Sequence, residues 1–198
     1  MQEAAYRKDL SHITWDEVYA RQVQRGPLVG EWMDALRLKP GDRVLDVGPG
    51  PGFVTFVLAE RVGPLGLIYA VDPSAEALAY LQRLQAERHI ANIKTFVADA
   101  ATVDLPGATL DAALIAMVLH HTDDPPAIMR NVARLLRPGG LAAIAEFRPD
   151  GPCEHGPPRD HRLAPQQLRT WCDAAGLTTL DERRQSPEHY MVLVQRVS

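Results

Sequence analysis

The 198-residue sequence has few cysteines and no long apolar run, and each absence excludes a class of protein. Cys153 and Cys172 are too few for a disulfide framework or a four-thiolate metal site. No window approaches the roughly 18 consecutive apolar residues of a membrane span, and residues 1–9 lack an apolar signal region. We therefore expect a cytoplasmic protein with no membrane-inserted segment.

Positive charge is not concentrated anywhere along the chain. The 21 Lys and Arg residues are scattered among 25 Asp and Glu residues, and the formal net charge is -4. A protein that binds a phosphate backbone usually carries a basic run or stripe. We therefore expect no nucleic-acid partner.

The composition that remains is ordinary for a globular protein, with 46% hydrophobic and 23% charged residues. The length suits one domain, 1–198, with a sizeable core. Apolar residues at three- and four-residue spacing predict an N-terminal helical cover over residues 1–38. We expect the core over 39–147, followed by a loop, a helix and terminal strands over 148–198.

A glycine-rich turn dominates the first half of the chain. A short strand ends at Asp46-Val47 and runs into Gly48, Gly50 and Gly52, before an apolar run of helical period begins. Glycine permits positive φ and close approach of a ligand, so this turn predicts a nucleotide-cofactor loop. The G-x-G-x-x-G dinucleotide pattern would need its third glycine at Phe53, where none stands. The alternative is a glycine-rich turn without a ligand.

Strand and helix patterns alternate from residue 43 to residue 147. Near-continuous apolar runs predict buried strands at 43–47, 67–71, 93–97, 110–117 and 141–147, with helices between them. This alternation predicts an α/β fold with a doubly wound parallel sheet. Two further strands, 177–180 and 190–197, are predicted to pair as a hairpin at the sheet edge.

Polar residues follow the successive strands. Asp72-Pro73 follows the second strand, Asp99-Ala100 the third, and Met117 ends the fourth. Ligands of doubly wound sheets bind outside the carboxyl ends of the strands, so these residues should gather at one edge with the glycine turn. The Asp72 carboxylate can accept both hydroxyls of a ribose, or else cap the next helix. Asp99 can accept from an adenine amine, or else be an exposed turn acid.

Five features occur in the order that a known family shows. They are D-x-G-x-G-x-G from Asp46 to Gly52, the acid Asp72, Asp99-Ala100, L-H-H ending at His121, and L-R-P-G-G over 136–140. Over about residues 40–147 the chain resembles the class I S-adenosylmethionine (SAM) dependent methyltransferases of the ubiquinone/menaquinone-biosynthesis type. The resemblance implies a Rossmann-like sheet of seven strands with the last antiparallel.

The resemblance also implies the chemistry. SAM would lie over Gly48 to Gly52, its methyl group would pass to a small-molecule acceptor by in-line displacement, and S-adenosylhomocysteine would be the product. The implied cofactor-binding residues are Asp46, Gly48, Gly50, Gly52, Asp72, Pro73, Asp99, Ala100 and Met117. Pro49 and Pro51 depart from the family pattern: they stiffen the loop and remove N–H donors.

His120 and His121 follow the fourth strand, where the sulfonium methyl group would lie. A histidine there can orient the acceptor or take its proton near neutral pH. The alternative is that one or both are packed residues at the start of the next helix.

The loop from Arg148 to Leu163 is rich in proline and glycine and follows the fifth strand. We expect it to close over the acceptor together with N-terminal residues Tyr6, His12 and Trp15. Arg148 and Arg162 could bind a carboxylate or phosphate of the acceptor. The alternative is surface pairing with Asp150, Glu154 and Asp160.

Two other functions and one other site remain open from the sequence. An NAD-dependent oxidoreductase is disfavoured by the glycine spacing and the missing Tyr-x-x-x-Lys, whereas a non-catalytic SAM-binding protein is not excluded. Cys153, His155 and His161 lack the spacing of a recognised metal site, so we expect no metal. Cys172 lies on the apolar face of a helix and is predicted to be a core residue.

Overall fold

A mixed sheet organises the computed structural model, which describes residues 13–152 and 156–197. Within these residues seven strands pair in the order β3-β2-β1-β4-β5-β7-β6. The strands are β1 Arg43–Val47, β2 Leu67–Asp72, β3 Ile93–Val97, β4 Leu110–Ala116, β5 Leu136–Phe147, β6 Leu177–Arg184 and β7 His189–Arg196. The pairs among β1 to β5 are parallel, and β7 is antiparallel to both β5 and β6. The prediction of a doubly wound sheet with an antiparallel last strand is confirmed.

The helices cover both faces of this sheet. They are α1 Trp15–Gln24, α2 Gly26–Leu36, α3 Phe53–Val62, α4 Ala75–Glu87, α5 Pro125–Leu135 and α6 Pro165–Ala174. Successive residues of a strand point to opposite faces, so Val44 packs in one apolar cluster with α2, α3 and α4. Leu45 packs in the other, with α5 and α6. Both faces are therefore buried, as in other sheets with parallel crossovers.

Within residues 13–38 the N-terminal helical cover consists of two helices. The Thr14 side chain accepts from the Glu17 N–H at 3.3 Å while Glu17 accepts from the Thr14 N–H at 2.8 Å, a capping box that starts α1. Pro27 lacks an N–H and suits the first turn of a new helix, so the chain bends at Arg25. The buried Trp32 side chain donates to Gln185 Oε1 at 2.8 Å, which ties α2 to the turn between β6 and β7.

Strand β5 starts earlier than its apolar run. Leu136 already pairs with Leu110, and a bulge follows before Leu141 pairs with Ala112. Gly139 has φ of 79°, a conformation that glycine adopts without strain, so the Pro-Gly-Gly turn forms the bulge. No helix within the described residues is long and apolar enough to span a bilayer.

Candidate functional site

A cleft of about 1940 Å³ opens at the carboxyl ends of the parallel strands. It is lined by residues that follow β1, β2, β3 and β4, by α1, and by the segments that follow β5 and precede β7. Small-molecule pockets are typically about 300–1,000 Å³. The cleft therefore has room for two ligands side by side.

The glycine turn forms the floor of the cleft below α1. Gly48, Gly50 and Gly52 have φ of 63°, 55° and 93°, all in the left-handed region. A Cβ added at Gly48 would lie 2.6 Å from Val118, and one at Gly52 would lie 2.6 Å from Leu81. These two glycines are thus required by packing as well as by conformation. Gly50 is different, because the nearest atom to an added Cβ there is the side chain of Gln22 at 3.3 Å.

Gly48 and Gly50 line the cleft, whereas Gly52 caps α3 beneath it. The Gly48 N–H donates to Val71 O at 2.8 Å and the Gly52 N–H to Pro49 O at 3.1 Å. The prolines of the loop therefore leave its fold intact, since the Pro49 carbonyl serves as an acceptor.

Gln22 of α1 fastens this turn from above. Its Nε2 donates to Pro49 O at 2.9 Å, and its Oε1 accepts from the Phe53 N–H at 3.0 Å. One amide thus holds both the glycine turn and the first residue of α3 against α1.

The Asp72 carboxylate, at the end of β2, connects the glycine turn to the start of α4. It accepts from the Gly50 N–H at 3.0 Å and from the Ser74 N–H at 2.8 Å, and it lines the cleft with Pro73. Burial raises the pKa of Asp72, and the two backbone donors oppose that rise. Ser74 caps α4 through its hydroxyl, so the capping role considered for Asp72 belongs to Ser74.

Asp46 lies beneath the turn rather than in the cleft. It is 3% exposed and accepts a hydrogen bond from the Thr55 hydroxyl at 2.7 Å. Burial raises the pKa of Asp46 to about 7, against the effect of the Thr55 bond. Its place is to hold β1 and α3 together under the glycines.

The ends of β3 and β4 contribute the next residues of the cleft wall. Asp99 is exposed, accepts from the Ala101 N–H at 2.8 Å and lines the cleft together with Ala100. Met117 also lines the cleft, with φ of 58°, and its N–H donates to Ala145 O at 2.8 Å. A non-glycine residue in this region is uncommon, and here it turns the chain from β4 into the cleft.

His120 is held by a carboxylate that sequence reasoning did not select. Its Nδ1 lies 2.7 Å from Glu146 Oε2, and both side chains are buried. Burial would raise the pKa of Glu146, but His120 and the N–H groups of Leu119 and His120 hold it below its ordinary value. An ionised Glu146 therefore accepts the proton on Nδ1.

The other ring nitrogen of His120, Nε2, has no hydrogen-bond partner among the described residues and retains solvent contact. When the ring carries a single proton on Nδ1, Nε2 is the ring atom at the cleft wall that can accept a proton. The His121 ring lies beside it, 4.1 Å between centroids, and also lines the cleft. This arrangement is typical of a carboxylate-oriented general base.

Glu146 lies in an apolar strand, yet its sequence signal was available. It stands at the carboxyl end of β5, the position that singled out Asp46 and Asp72 on earlier strands. Arg25, Phe147 and His189 also line the cleft and were not selected. They come from three distant segments, and no local pattern connects them.

The predicted acceptor residues fall in three groups. Trp15 lines the cleft, and so do Pro152, Gly156 and Pro157 of the loop after β5. Arg148 instead pairs with Asp150 at 2.6 Å, the alternative considered from the sequence. Arg162 is buried and donates to Pro157 O at 2.8 Å and to Arg148 O at 2.9 Å, which shapes the loop from within.

Tyr6, His12, Cys153, Glu154 and His155 lie outside the described residues. Cys172 is fully buried between α6 and α5, as predicted for a core residue.

Comparisons with known proteins relate the chain to methyltransferases. A family model described as a methyltransferase domain matches residues 45–144. The chain is 31% identical to a demethylmenaquinone methyltransferase of Geobacillus sp. (strain WCH70), over 71% of this chain and 64% of that protein. It is 30% identical to nocamycin O-methyltransferase of Saccharothrix syringae, over 75% of this chain and 51% of that protein. Across the curated relatives it matches first, the chain spans about a third to two thirds of their length.

A solved structure shares nearly the whole fold. The crystal structure of a SAM dependent methyltransferase from Aquifex aeolicus has a TM-score of 0.83 at 22% identity. The match covers 93% of this chain and 100% of that one. It confirms the Rossmann-like architecture that the strand and helix alternation predicts.

Proposed function

The chain belongs to the family of methyltransferase domains, and from that premise we propose that it transfers a methyl group from SAM to a small-molecule acceptor. One observation carries the proposal: the Asp72 carboxylate and the Gly50 backbone meet at the wall of a cleft that has room for two ligands. The SAM dependent methyltransferase of Aquifex aeolicus supports the choice of cofactor by its fold.

The residues at the β1 to β3 end fit an adenosine group. Gly50 offers an approach without a Cβ, and the Asp72 carboxylate has lone pairs left for the ribose hydroxyls. Asp99 and Ala100 line the wall beyond, where the adenine would lie. Gly48, Pro73 and Met117 complete this part of the cleft, and Asp46 and Gly52 support it from below.

SAM supplies an electrophilic methyl group, so the protein mainly orients the acceptor and excludes water. His120 takes the proton that the acceptor loses as it is methylated, through Nε2, while Glu146 holds the ring. His121 stands beside it as a second polar contact for the acceptor.

The acceptor would be a small molecule in the cytoplasm. Two of the methyltransferases to which the chain is similar are named for small molecules, one a demethylmenaquinone methyltransferase and the other a nocamycin O-methyltransferase. A nucleic-acid acceptor is disfavoured by the net charge of -4. The glycine spacing disfavours an NAD-dependent oxidoreductase.

Calorimetric titration with S-adenosylhomocysteine, SAM and NAD tests the cofactor. We expect the two adenosyl sulfur compounds to bind and NAD not to bind. Asp72→Asn should weaken the binding of S-adenosylhomocysteine by about 1.5–3 kcal/mol, because a charge-assisted contact is lost. Asp104→Asn, at an exposed acid outside the cleft, is the matched control and should change nothing.

Catalysis needs its own measurement, because a non-catalytic SAM-binding protein would pass the titration. A panel of hydroxylated, aminated and enolic acceptors, followed by release of S-adenosylhomocysteine, separates the two. Tight NAD binding without binding of S-adenosylhomocysteine would refute the proposal.

A further inference from the structure

At the end of the cleft away from the glycine turn lie two N–H donor groups that have no acceptor among the described residues. They belong to Arg25, at the bend between α1 and α2, and to His189, the first residue of β7. The glycine turn follows β1, whereas Phe147 beneath Arg25 ends β5, and β4 lies between them. Neighbouring strands are about 4.8 Å apart, so the two donors lie roughly 10–14 Å across the sheet from the cofactor turn.

The Arg25 guanidinium is half-buried and lies over the Phe147 ring, 5.6 Å from its centroid. Among the described residues it makes no side-chain hydrogen bond and no ion pair. Three charged groups face it: Arg21, Glu146 and Glu188. Glu146 forms its hydrogen bond with His120 instead, and neither glutamate forms an ion pair with Arg25 within the described residues. Burial, helped by Arg21, lowers the pKa of Arg25 against the effect of Glu146 and Glu188, and no carboxylate of the described residues forms an ion pair with its guanidinium.

The tautomer of His189 follows from its neighbour Ser186. The Ser186 Oγ accepts from the Glu188 N–H at 3.1 Å and from the His189 N–H at 3.0 Å. Both lone pairs are then used, so the hydroxyl proton must go to His189 Nδ1, 3.0 Å away.

Burial, together with Arg25, lowers the pKa of His189 to about 4, so the ring is neutral. A neutral ring that accepts at Nδ1 carries its proton on Nε2. That Nε2–H group is buried and has no hydrogen-bond partner within residues 13–152 and 156–197, and His189 is 7% exposed. A buried donor left unsatisfied is destabilising, so an acceptor atom supplied by a ligand is favoured here.

We propose that the methyl acceptor carries a carboxylate, which binds between the Arg25 guanidinium and the His189 Nε2–H. This inference rests on the proposed methyltransferase function and names the class of its substrate. A guanidinium fork suits a planar carboxylate, and the neutral imidazole adds a hydrogen bond without adding charge. The reacting group of the acceptor then extends along Phe147 toward His120, whose ring lies 5.5 Å from that of Phe147.

Benzoate and benzamide are the probes, since they have nearly the same shape and differ in charge. The protein is saturated with S-adenosylhomocysteine, and the ¹⁵N-coupled resonance of the His189 Nε2–H group is followed during titration. We expect benzoate to shift this resonance in a saturable way and benzamide to leave it in place. Equal responses to both probes, or no response to benzoate, would overturn the carboxylate site.

Two variants locate the site. Arg25→Gln should lower the affinity for benzoate by at least about tenfold, the effect expected when a charge-assisted hydrogen bond is lost. Arg21 is an exposed arginine of α1 that also lines the cleft. Arg21→Gln should therefore change the affinity for benzoate less than twofold. S-adenosylhomocysteine should bind the Arg25→Gln protein as tightly as the parent.

The same titrations separate the possible failures. If Arg25→Gln loses S-adenosylhomocysteine affinity, Arg25 holds the carboxylate of the cofactor and the inference is wrong, while the methyltransferase function stands. If the parent protein does not bind S-adenosylhomocysteine at all, the proposed function fails and this inference fails with it.

Discussion

At the residue scale, the buried Asp46 should make stability depend on pH. Burial raises its pKa from an ordinary 3.8 to about 7, so the folded protein binds the proton more readily than the unfolded chain. The stabilisation is then complete below pH 3.8 and is lost as pH rises through about 7. Asp46→Asn cannot ionise and should escape this loss.

Urea unfolding at a series of pH values measures this effect. Between pH 4 and pH 8 the stability of Asp46→Asn should rise relative to the parent by on the order of 3–4 kcal/mol. Asp104→Asn serves again as the exposed control. A difference between Asp46→Asn and parent that stays constant with pH would show that the carboxyl group does not titrate in this range.

Substitutions at His120 and His121 can show which of the two histidines acts as the general base. In His120→Asn the amide can still donate to Glu146, so the fold should persist while the base at Nε2 is lost. With the acceptor that the panel identifies, kcat should fall by about 10²–10⁴-fold while S-adenosylhomocysteine affinity stays within twofold. His121→Asn should alter mainly the acceptor KM. A larger kcat loss in His121→Asn would transfer the role of base to that residue.

The sequence predicts much of the cleft because topology and motif agree at the strand ends. Gly50, Asp72, Asp99 and Met117 were selected by position and by residue type, and all of them line the cleft. The roles assigned to them stay predictions. Arg25 and His189 could not be found this way, because only the tertiary fold brings the bend after α1 beside the start of β7. Their importance rests on missing hydrogen-bond partners, which a sequence does not display.

At the element scale, the glycine turn offers a matched pair of substitutions. Gly50 has φ of 55° and lines the cleft, whereas Gly30 lies in helix α2 with no atom within 4 Å of an added Cβ. Gly50→Ala should cost about 1–2 kcal/mol of stability in the left-handed region. It should also lower the affinity for S-adenosylhomocysteine at least tenfold, because the added methyl group occupies space that is proposed for the ligand.

Gly30→Ala is the control and should stabilise the protein by about 0.5–1 kcal/mol, as expected in a helix interior. Calorimetry and urea unfolding measure both variants. Unchanged cofactor affinity in Gly50→Ala would remove the tip of the turn from the proposed site.

The loop after β5 is held by Arg162, so its arginines should differ in effect. Arg162→Ala removes the donors to Pro157 and Arg148 and should lower stability by about 1.5–3 kcal/mol. Because Pro157 lines the cleft, the acceptor KM should rise while cofactor affinity stays the same. Arg148→Ala breaks an ion pair with the exposed Asp150 and should cost less than about 1 kcal/mol. Equal effects of the two variants would argue against an internal role for Arg162.

The elements themselves were largely predictable, since buried parallel strands appear as apolar runs. The first four strands and the terminal hairpin are confirmed to within a few residues. The early start of β5 was missed because the Pro-Gly-Gly turn resembles a simple break, and a bulge differs from a break only in its pairing. The boundary between α1 and α2 was not predicted, because apolar residues keep helical spacing on both sides of Pro27.

At the scale of the whole molecule, the order of the strands places different polar groups at the two ends of the cleft. Asp72, Glu76 and Asp99 line the part near β2 and β3, while Arg25 and the three histidines line the part near β5 and β7. The order of strands in the sheet therefore separates an acidic region, suited to hydroxyl and amine donors, from a region suited to anions. An acceptor that carries an anionic group can pair that group with Arg25 in the second region, beside the base.

Gln22 lies in α1 with Trp15 and Arg21, just before Arg25 at the bend, and it also holds the glycine turn. If bound SAM orders that turn, we expect it to strengthen the attachment of α1, which lines the cleft where the acceptor is proposed to bind. Coupling of this kind is reciprocal, so the acceptor must raise the affinity for the cofactor by the same factor by which the cofactor raises the affinity for the acceptor. We expect S-adenosylhomocysteine to slow amide hydrogen exchange throughout α1, and Gln22→Ala, but not Gln24→Ala, to abolish that protection.

Steady-state kinetics should consequently show a compulsory order of addition, with SAM first and the methylated acceptor released before S-adenosylhomocysteine. Product inhibition distinguishes this order from random binding, which Gln22→Ala should restore. A single glutamine amide would then determine the sequence of events in each catalytic cycle, although it contacts neither of the atoms between which the methyl group moves.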